Sequence, residues 1–382
     1  MELRELLTQA LHLSSATMLS ALFGFFFWSI STRWYGPAEV GKVSSMVAAL
    51  NLIFFASTLG LNVGLLRFHD SFGERATGTL STVMSLTAGF LTLIYSLINP
   101  LGLNTKEMWA LTLIAIFGTI YNIFAYIEIV VSTRAYLLQS LASGIRVVLP
   151  PVLSGMGSLG LATAYLTGFI TGSAYGVLRV GRLARPRVDR EFLETALGVS
   201  MGNYLVGLTS LFPVYLVPTL VVSLLGSEAG AYYYLAFILI NLLLVPPGAL
   251  GVLLVREHEE AAMGKLLLLG FAYWLLILPL VLSSKLWVPL LFGKDYVESA
   301  DLLLISTPGL LFGTVNQLLT ASMTIMKRGR EIAVFSMAGA LTLLLSLYPL
   351  IESEGLRGTV SAWILSSGVV FTLMAMRHPK TF

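Results

Sequence analysis

The chain contains no cysteine and only four histidines. The first absence excludes disulfides, thiol catalysis and cysteine metal sites, although it fixes no compartment. His12, His69, His258 and His378 are scattered without ligand spacing, so no metal site is expected. Charge is scarce too: 11% of residues are Asp, Glu, Lys or Arg, against roughly 25% in soluble proteins. That scarcity excludes an ordinary soluble domain. A net charge of +3 makes no case for a nucleic-acid partner, and its distribution matters more than its sum.

What fills the chain is apolar: 56% of its 382 residues are hydrophobic. A bilayer core needs about 20 such residues per helix. The stretch from Leu6 to Thr32 carries no Asp, Glu, Lys or Arg. It is too long for a cleaved signal, and no small-residue cleavage site follows, so it reads as a retained helix. Without water, only helices or closed barrels satisfy a spanning backbone. Continuous apolar runs, rather than short alternating strands, choose helices.

The expected fold class is therefore an all-α integral membrane protein of about twelve transmembrane helices. In the first half the spans are 10–32, 43–66, 77–98, 108–131, 136–155 and 159–179. In the second they are 194–225, 229–254, 264–284, 300–325, 331–351 and 357–376. With the N-terminus inside, the cytoplasmic connections collect sixteen Lys and Arg and the outer ones six. The positive-inside rule then places both termini in the cytoplasm.

The longest polar connection, Arg179 to Glu194, holds five arginines and falls near mid-chain. It divides the chain into lobes at 1–190 and 191–382. Offsetting the halves by about 190 residues aligns Gly36 and Gly41 with Gly226 and Gly230, and Arg67 with Arg256. The same offset sets Asn99-Pro100-Leu101 against Val288-Pro289-Leu290, and Gly160-Leu161 against Gly355-Leu356. Six helices per half imply lobes related by a pseudo-twofold axis along the membrane normal.

Four loop motifs carry a family resemblance. Trp34-Tyr35-Gly36-Pro37-Ala38-Glu39-Val40-Gly41 resembles a GP-x-E-Y/F-G loop, with Val40 where an aromatic is usual. Leu59-Gly60-Leu61 with Leu66-Arg67-Phe68 resembles the family's second-helix ending. Gly226-Ser227-Glu228-Ala229-Gly230-Ala231-Tyr232 resembles the matching loop of the second half. Phe292-Gly293-Lys294-Asp295-Tyr296 followed by Ala300 resembles an FG-x-x-Y-x-x-A entrance to helix ten. Together they resemble the multidrug/oligosaccharidyl-lipid/polysaccharide exporter superfamily, in its polysaccharide-transporter branch of lipid-linked oligosaccharide flippases.

That resemblance implies two six-helix lobes around a central cavity, rocking by alternating access in the cell (cytoplasmic) membrane. It implies a cargo of oligosaccharide on a polyprenyl (pyro)phosphate, moved to the outer leaflet for surface-glycan synthesis. Membrane lipids are the other partners. No enzymatic activity and no cofactor are implied, and a monovalent cation or proton as coupling ion is left open. Burying a phosphate-linked glycan head in hydrocarbon is expensive, so a cavity with Arg and amide groups would have to replace its hydration.

Arg146 and Glu128 are the clearly intramembrane charges, and such residues face a cavity or a partner. At 1.5 Å per residue counted from Arg134, Glu128 lies ~9 Å and Arg146 ~18 Å deep. They are candidates for a structural ion pair, or Arg146 for a phosphate contact. The amides Asn51, Asn122, Asn203, Asn241, Asn316 and Gln317, with Tyr204, are suited to sugar hydroxyls or to joining helices. The family's cavity-lining helices rank Asn203-Tyr204 and Asn316-Gln317 first. Pro213, Pro218, Pro246, Pro247 and Pro308 kink their helices, for motion or for fixed curvature.

One tempting motif fails. Gly36 to Lys42 has P-loop spacing, but Val43 replaces the magnesium-binding Ser or Thr and no strand precedes it. The alternative function is a cation-coupled multidrug exporter of the same superfamily. Such exporters place carboxylates inside helices one, seven or ten; here helices one and seven have none, and Asp301 sits at the outer lip of helix ten. A membrane glycosyltransferase would need a catalytic carboxylate and usually a large outer loop, and every outer loop here is short.

Overall fold

The computed structural model describes residues 3–257 and 263–377, without the side chains at 3–11, 13, 14, 17, 203, 252, 256 and 257. His258 and His378 thus lie outside the described residues. The first half comprises α1 (Leu3–Trp34), α2 (Pro37–Ser57), α3 (Leu61–Phe72), α4 (Glu74–Ile98), α5 (Thr105–Val131), α6 (Thr133–Ser143), α7 (Pro150–Leu153) and α8 (Gly157–Val180). After a connector follow α9 (Arg190–Ser210), α10 (Val217–Leu225), α11 (Ser227–Glu257), α12 (Met263–Leu282) and α13 (Ser284–Phe292). The chain ends with α14 (Val297–Ile305), α15 (Thr307–Ile325), α16 (Gly329–Glu354) and α17 (Leu356–Arg377).

Among the described residues, eight helical stretches are long and apolar enough to cross a bilayer, and two bent pairs make ten. The pairs, Tyr204–Ser210 with Phe212–Leu225 and Lys294–Ile305 with Thr307–Ile325, bend by 45° and 58°. The other two expected spans are α1 and the run from α6 to α7. Leu178, 84% exposed, and Leu97, 77% exposed, show the outward apolar surface that only lipid can cover. The described helices thus supply about twelve spans of a multi-pass membrane protein.

Two spans need correcting. The second is broken at residues 58–60, where Leu59 (φ 48°) and Gly60 (φ 81°) turn left-handed and reset the axis between α2 and α3. The fifth is a string of pieces: Pro150 and Pro151 lack backbone donors and disfavour helix before them, so Gly144–Val148 tightens to a 3₁₀ turn.

By contacts the chain forms two compact units, Met1–Tyr204 and Leu205–Phe382. The division falls inside the seventh span, beyond the expected lobe boundary at 190/191, because the start of α9 packs into the first unit. Phe192 and Ala196 are buried with Leu61, Leu65, Ala76 and Leu80.

Within the first unit, α5 packs closely along α8 through Gly172 and Gly176. A Cβ at Gly172 would lie 2.5 Å from the Tyr121 ring, and one at Gly176 2.5 Å from Phe124. Small residues spaced by four let helices approach in lipid, where packing replaces the hydrophobic drive. The Gly36–Gly41 loop is a helix start rather than a nucleotide loop. Glu39 Oε2 accepts from Gly36 N at 3.0 Å, while Lys42 pairs with the buried Glu107 at 3.0 Å. Tyr35 donates to Pro150 O at 3.0 Å; burial pushes its hydroxyl up to about 12, which keeps it a donor.

In the second unit, α15 packs on α11, α12 and α17, and α16 on α17. The two units repeat one hairpin device. Gly157 (φ 59°) opens α8 and Gly355 (φ 62°) opens α17. Three residues on, a Cβ at Gly160 would meet Leu153 O at 2.1 Å, and one at Gly358 would meet Leu350 O at 2.0 Å. The matching residues are therefore Gly160 with Gly358, three positions from the Gly160–Gly355 register expected from sequence. The Asn99-Pro100 turn likewise differs from Val288-Pro289, which lies inside α13.

The arginine-rich connector is clasped to α4. Thr77 donates to Leu183 O at 2.6 Å, and Thr79 accepts from Asp189 N at 2.9 Å. Thr82 accepts from Arg187 N at 2.9 Å. Arg75 Nε donates to Asp189 Oδ2 at 2.6 Å. That hydrogen bond, with one from Phe192 N, holds the Asp189 carboxyl below its ordinary range. Its contribution is complete above about pH 4 and is lost as pH falls through the lowered folded value. Arg75→Gln should speed tryptic cleavage at the exposed Arg182 and Arg187 by roughly ten-fold at neutral pH. Unchanged cleavage would show that the threonine contacts alone hold the connector.

Candidate functional site

The first unit carries the charged candidates, and they do not pair with one another. Arg146 lies in the 3₁₀ turn of the fifth span, 8% exposed. Its guanidinium sits 4.8 Å above the centre of the Tyr165 ring, a cation–π arrangement suited to a planar, weakly hydrated cation. Tyr165 is itself packed edge-on by Phe27 at 5.3 Å and Phe169 at 5.4 Å. Gly168 makes room for Arg146: a Cβ there would lie 2.9 Å from the Arg146 Cδ. Arg146 Nε has no hydrogen-bond partner among the described residues.

Glu128 is 0% exposed, and neither carboxyl oxygen has a hydrogen-bond partner among the described residues. No hydrogen bond joins it to Arg146, whose guanidinium is held over the Tyr165 ring. The ion-pair expectation therefore fails in this conformation. The interruption of the fifth span turns Arg146 toward the Tyr165 ring instead.

Tyr204 has a backbone partner. Its hydroxyl donates to Ala56 O at 2.9 Å, beside the break of the second span, and its ring stacks on Phe55 at 5.8 Å. A Cβ at Gly60 would lie 3.1 Å from Tyr204 Cβ, so the break and α9 fit closely. The Asn203 side chain lies outside the described residues.

The second unit gathers three of the amides. Asn241, Asn316 and Gln317 all line one cavity of about 350 Å³. Asn316 donates to Ser367 O at 2.9 Å, and its Oδ1 is buried without a partner. Asn241 donates to Phe237 O at 2.7 Å within its own helix, and Gln317 is exposed. Thr209, Ser210, Thr320, Ser336, Ser366 and Ser367 add hydroxyl-bearing residues to the wall. No Asp, Glu, Lys or Arg lines the cavity among the described residues. Asp301 is engaged elsewhere, with Lys285 at 2.6 Å.

Sequence reasoning missed these hydroxyl residues. Their signal was helical spacing: Gly313, Asn316 and Thr320 on α15, and Trp363, Ser366 and Val370 on α17, each recur at three or four residues. Each set therefore forms a stripe on one helix face.

Neither a family model nor a curated protein sequence matches the chain. Solved structures do. One is an inward-facing multidrug resistance MATE family transporter of the MOP superfamily, with a TM-score of 0.71 at 16% identity, covering 97% of this chain and 98% of that one. A second is the lipid II flippase MurJ in an inward closed conformation, with a TM-score of 0.72 at 15% identity, covering 95% and 86%. The eukaryotic MATE transporter AtDTX14 gives 0.59 at 15% identity, covering 97% and 95%. The chain thus shares the fold of these solved structures over nearly its whole length. At these identities the likeness is one of fold.

Because Arg146 and Glu128 are not paired, their substitutions should act independently. Glu128→Gln removes an unpartnered buried carboxyl, and should leave thermal stability in detergent unchanged or higher. The coupling of Glu128→Gln with Arg146→Gln in unfolding should stay below about 0.5 kcal/mol. Stability lost in either single variant and restored in the double would reinstate the ion pair.

Proposed function

We propose that the protein is a flippase for polyprenyl-(pyro)phosphate-linked oligosaccharide, moving it from the cytoplasmic to the outer leaflet of the cell membrane by alternating access. One observation carries this reading: the second-unit cavity is polar yet uncharged, walled by amides, hydroxyl residues, Phe237 and Trp363. Amides and hydroxyls match sugar hydroxyls donor for acceptor. A drug exporter handling organic cations gains more from a carboxylate, which this wall lacks. The loop motifs of the sequence support the same branch.

In this reading Arg146 is the phosphate-binding group. It is a deep guanidinium whose held partner is an aromatic ring, leaving its planar donor fork for an anion. Asn241, Asn316 and Gln317 contact the glycan. Tyr204 secures the break of the second span, and Glu128 is a protonatable group within the first unit. Both termini lie in the cytoplasm, as the distribution of Lys and Arg requires.

The test is complementation of glycan export at matched membrane abundance. Arg146→Gln should abolish export, and Arg146→Lys should retain part of it, because a point charge remains without bidentate geometry. Asn241→Leu with Gln317→Leu should lower export roughly ten-fold or more, as two unmatched amide contacts would predict. Full export by Arg146→Gln, or rescue of that variant by Glu128→Gln, would overturn the assignment.

A further inference from the structure

A second, separate cavity of about 530 Å³ lies between α4 and α5, in the first unit. Ser85, Gly89, Thr92 and Ser96 line it from α4, with Thr112 and Thr119 from α5. None of these residues belongs to the cavity of amides in the second unit.

Its wall is unusual in one respect. Hydroxyls inside membrane helices ordinarily bond back to a carbonyl three or four residues earlier. On α4 itself, Thr79, Ser81 and Thr82 do so at 2.7 to 2.9 Å. Thr92 does not. It is 7% exposed, lines the groove, and its Oγ1 has no hydrogen-bond partner among the described residues. An unmatched hydroxyl away from water is costly, so an acceptor is missing from this groove.

Its position says what that acceptor is. Met108 and Thr112 also line an adjoining cavity of about 330 Å³ with Thr105 and Trp109, at the α4–α5 turn. The groove thus runs from within the bilayer to an interface. There Trp109 is 65% exposed, as expected of an interfacial aromatic. Ser96 and Thr92 lie ~3 Å and ~9 Å below the end of α4 at Ile98, at 1.5 Å per residue. This is the depth at which a glycerolipid carries the ester oxygens that link its chains, just beneath its headgroup. A polyprenyl tail brings no acceptor to that depth.

We propose that this groove binds one diacyl glycerolipid, with an acyl chain along Gly89 and an ester carbonyl accepting from the Thr92 hydroxyl. Gly89 leaves the groove open: a Cβ there would have nothing within 4 Å. A larger side chain can therefore fill the space without moving backbone.

The experiment is native mass spectrometry of the full-length, delipidated protein titrated with dioleoylphosphatidylglycerol, with undecaprenyl phosphate as competitor. Wild type should bind one saturable equivalent that undecaprenyl phosphate does not displace. Gly89→Leu should weaken that binding at least ten-fold by occupying the groove. Thr92→Val keeps the shape but removes the donor, and should weaken it about three- to ten-fold, the worth of one hydrogen bond. Thermal unfolding of each variant confirms that it is folded. Equal binding by wild type and Gly89→Leu would overturn the site. An unchanged affinity for Thr92→Val would overturn the ester contact, and displacement by undecaprenyl phosphate would reassign the groove to the prenyl carrier.

Discussion

The structure depends on one constraint: inside a bilayer, a backbone carbonyl freed from its helix has no water to turn to. At several places where proline or a tightened turn breaks the helical ladder, a side chain supplies the missing donor. Pro247 cannot donate to Leu243 O, and Tyr273 does so at 2.6 Å. In the π-turn Phe212–Leu216, Val217 N bonds to Phe212 O instead of Pro213 O. Tyr233 then takes Pro213 O at 2.6 Å. Tyr35 donates likewise to Pro150 O, and Tyr204 to Ala56 O, which also accepts from Leu59 N. Tyrosine suits the task because its ring packs as hydrocarbon while its hydroxyl reaches a carbonyl on a neighbouring helix.

This constraint explains what was legible in the sequence. Long apolar runs must be helices in lipid, so the twelve spans fell on helical stretches, the second and fifth of them interrupted. The interruptions were harder to read. Pro150-Pro151 marked one in the fifth span, but the break at Leu59-Gly60 follows from two consecutive left-handed residues, and only the glycine hints at it. The repeat was visible as loop glycines, yet its register at the α8 and α17 hairpins slipped by three. Gly157 and Gly160 form a pair, and composition does not say which of them answers Gly355.

The candidate residues separate along the same line. Asn241, Asn316 and Gln317 were legible because amides in apolar helices stand out, and the fold brings them to one cavity. The Ser and Thr residues beside them were hidden, since many such hydroxyls in this chain bond back to their own helix, as Thr163 and Thr342 do. Arg146 and Glu128 were equally visible, and their sequence spacing allowed either a partnership or separate roles; the guanidinium is held over the Tyr165 ring instead of the carboxylate. Tyr204 looked like a ligand-binding hydroxyl and instead serves the backbone. In a membrane bundle, burial and polarity nominate a residue; the partner of its last unmatched atom decides its role.

The central claim is that an uncharged polar cavity and a deep, aromatic-held guanidinium serve a glycan on a lipid phosphate. The most direct measurement is flipping by the purified protein in liposomes. A fluorescent polyprenyl-diphosphate oligosaccharide would be placed in one leaflet, and a reagent outside would quench what emerges. The account predicts transfer well above protein-free vesicles, lost in Arg146→Gln and competed by unlabelled lipid-linked oligosaccharide. No transfer of this lipid, together with uptake of an organic cation driven by a proton or sodium gradient, would contradict it.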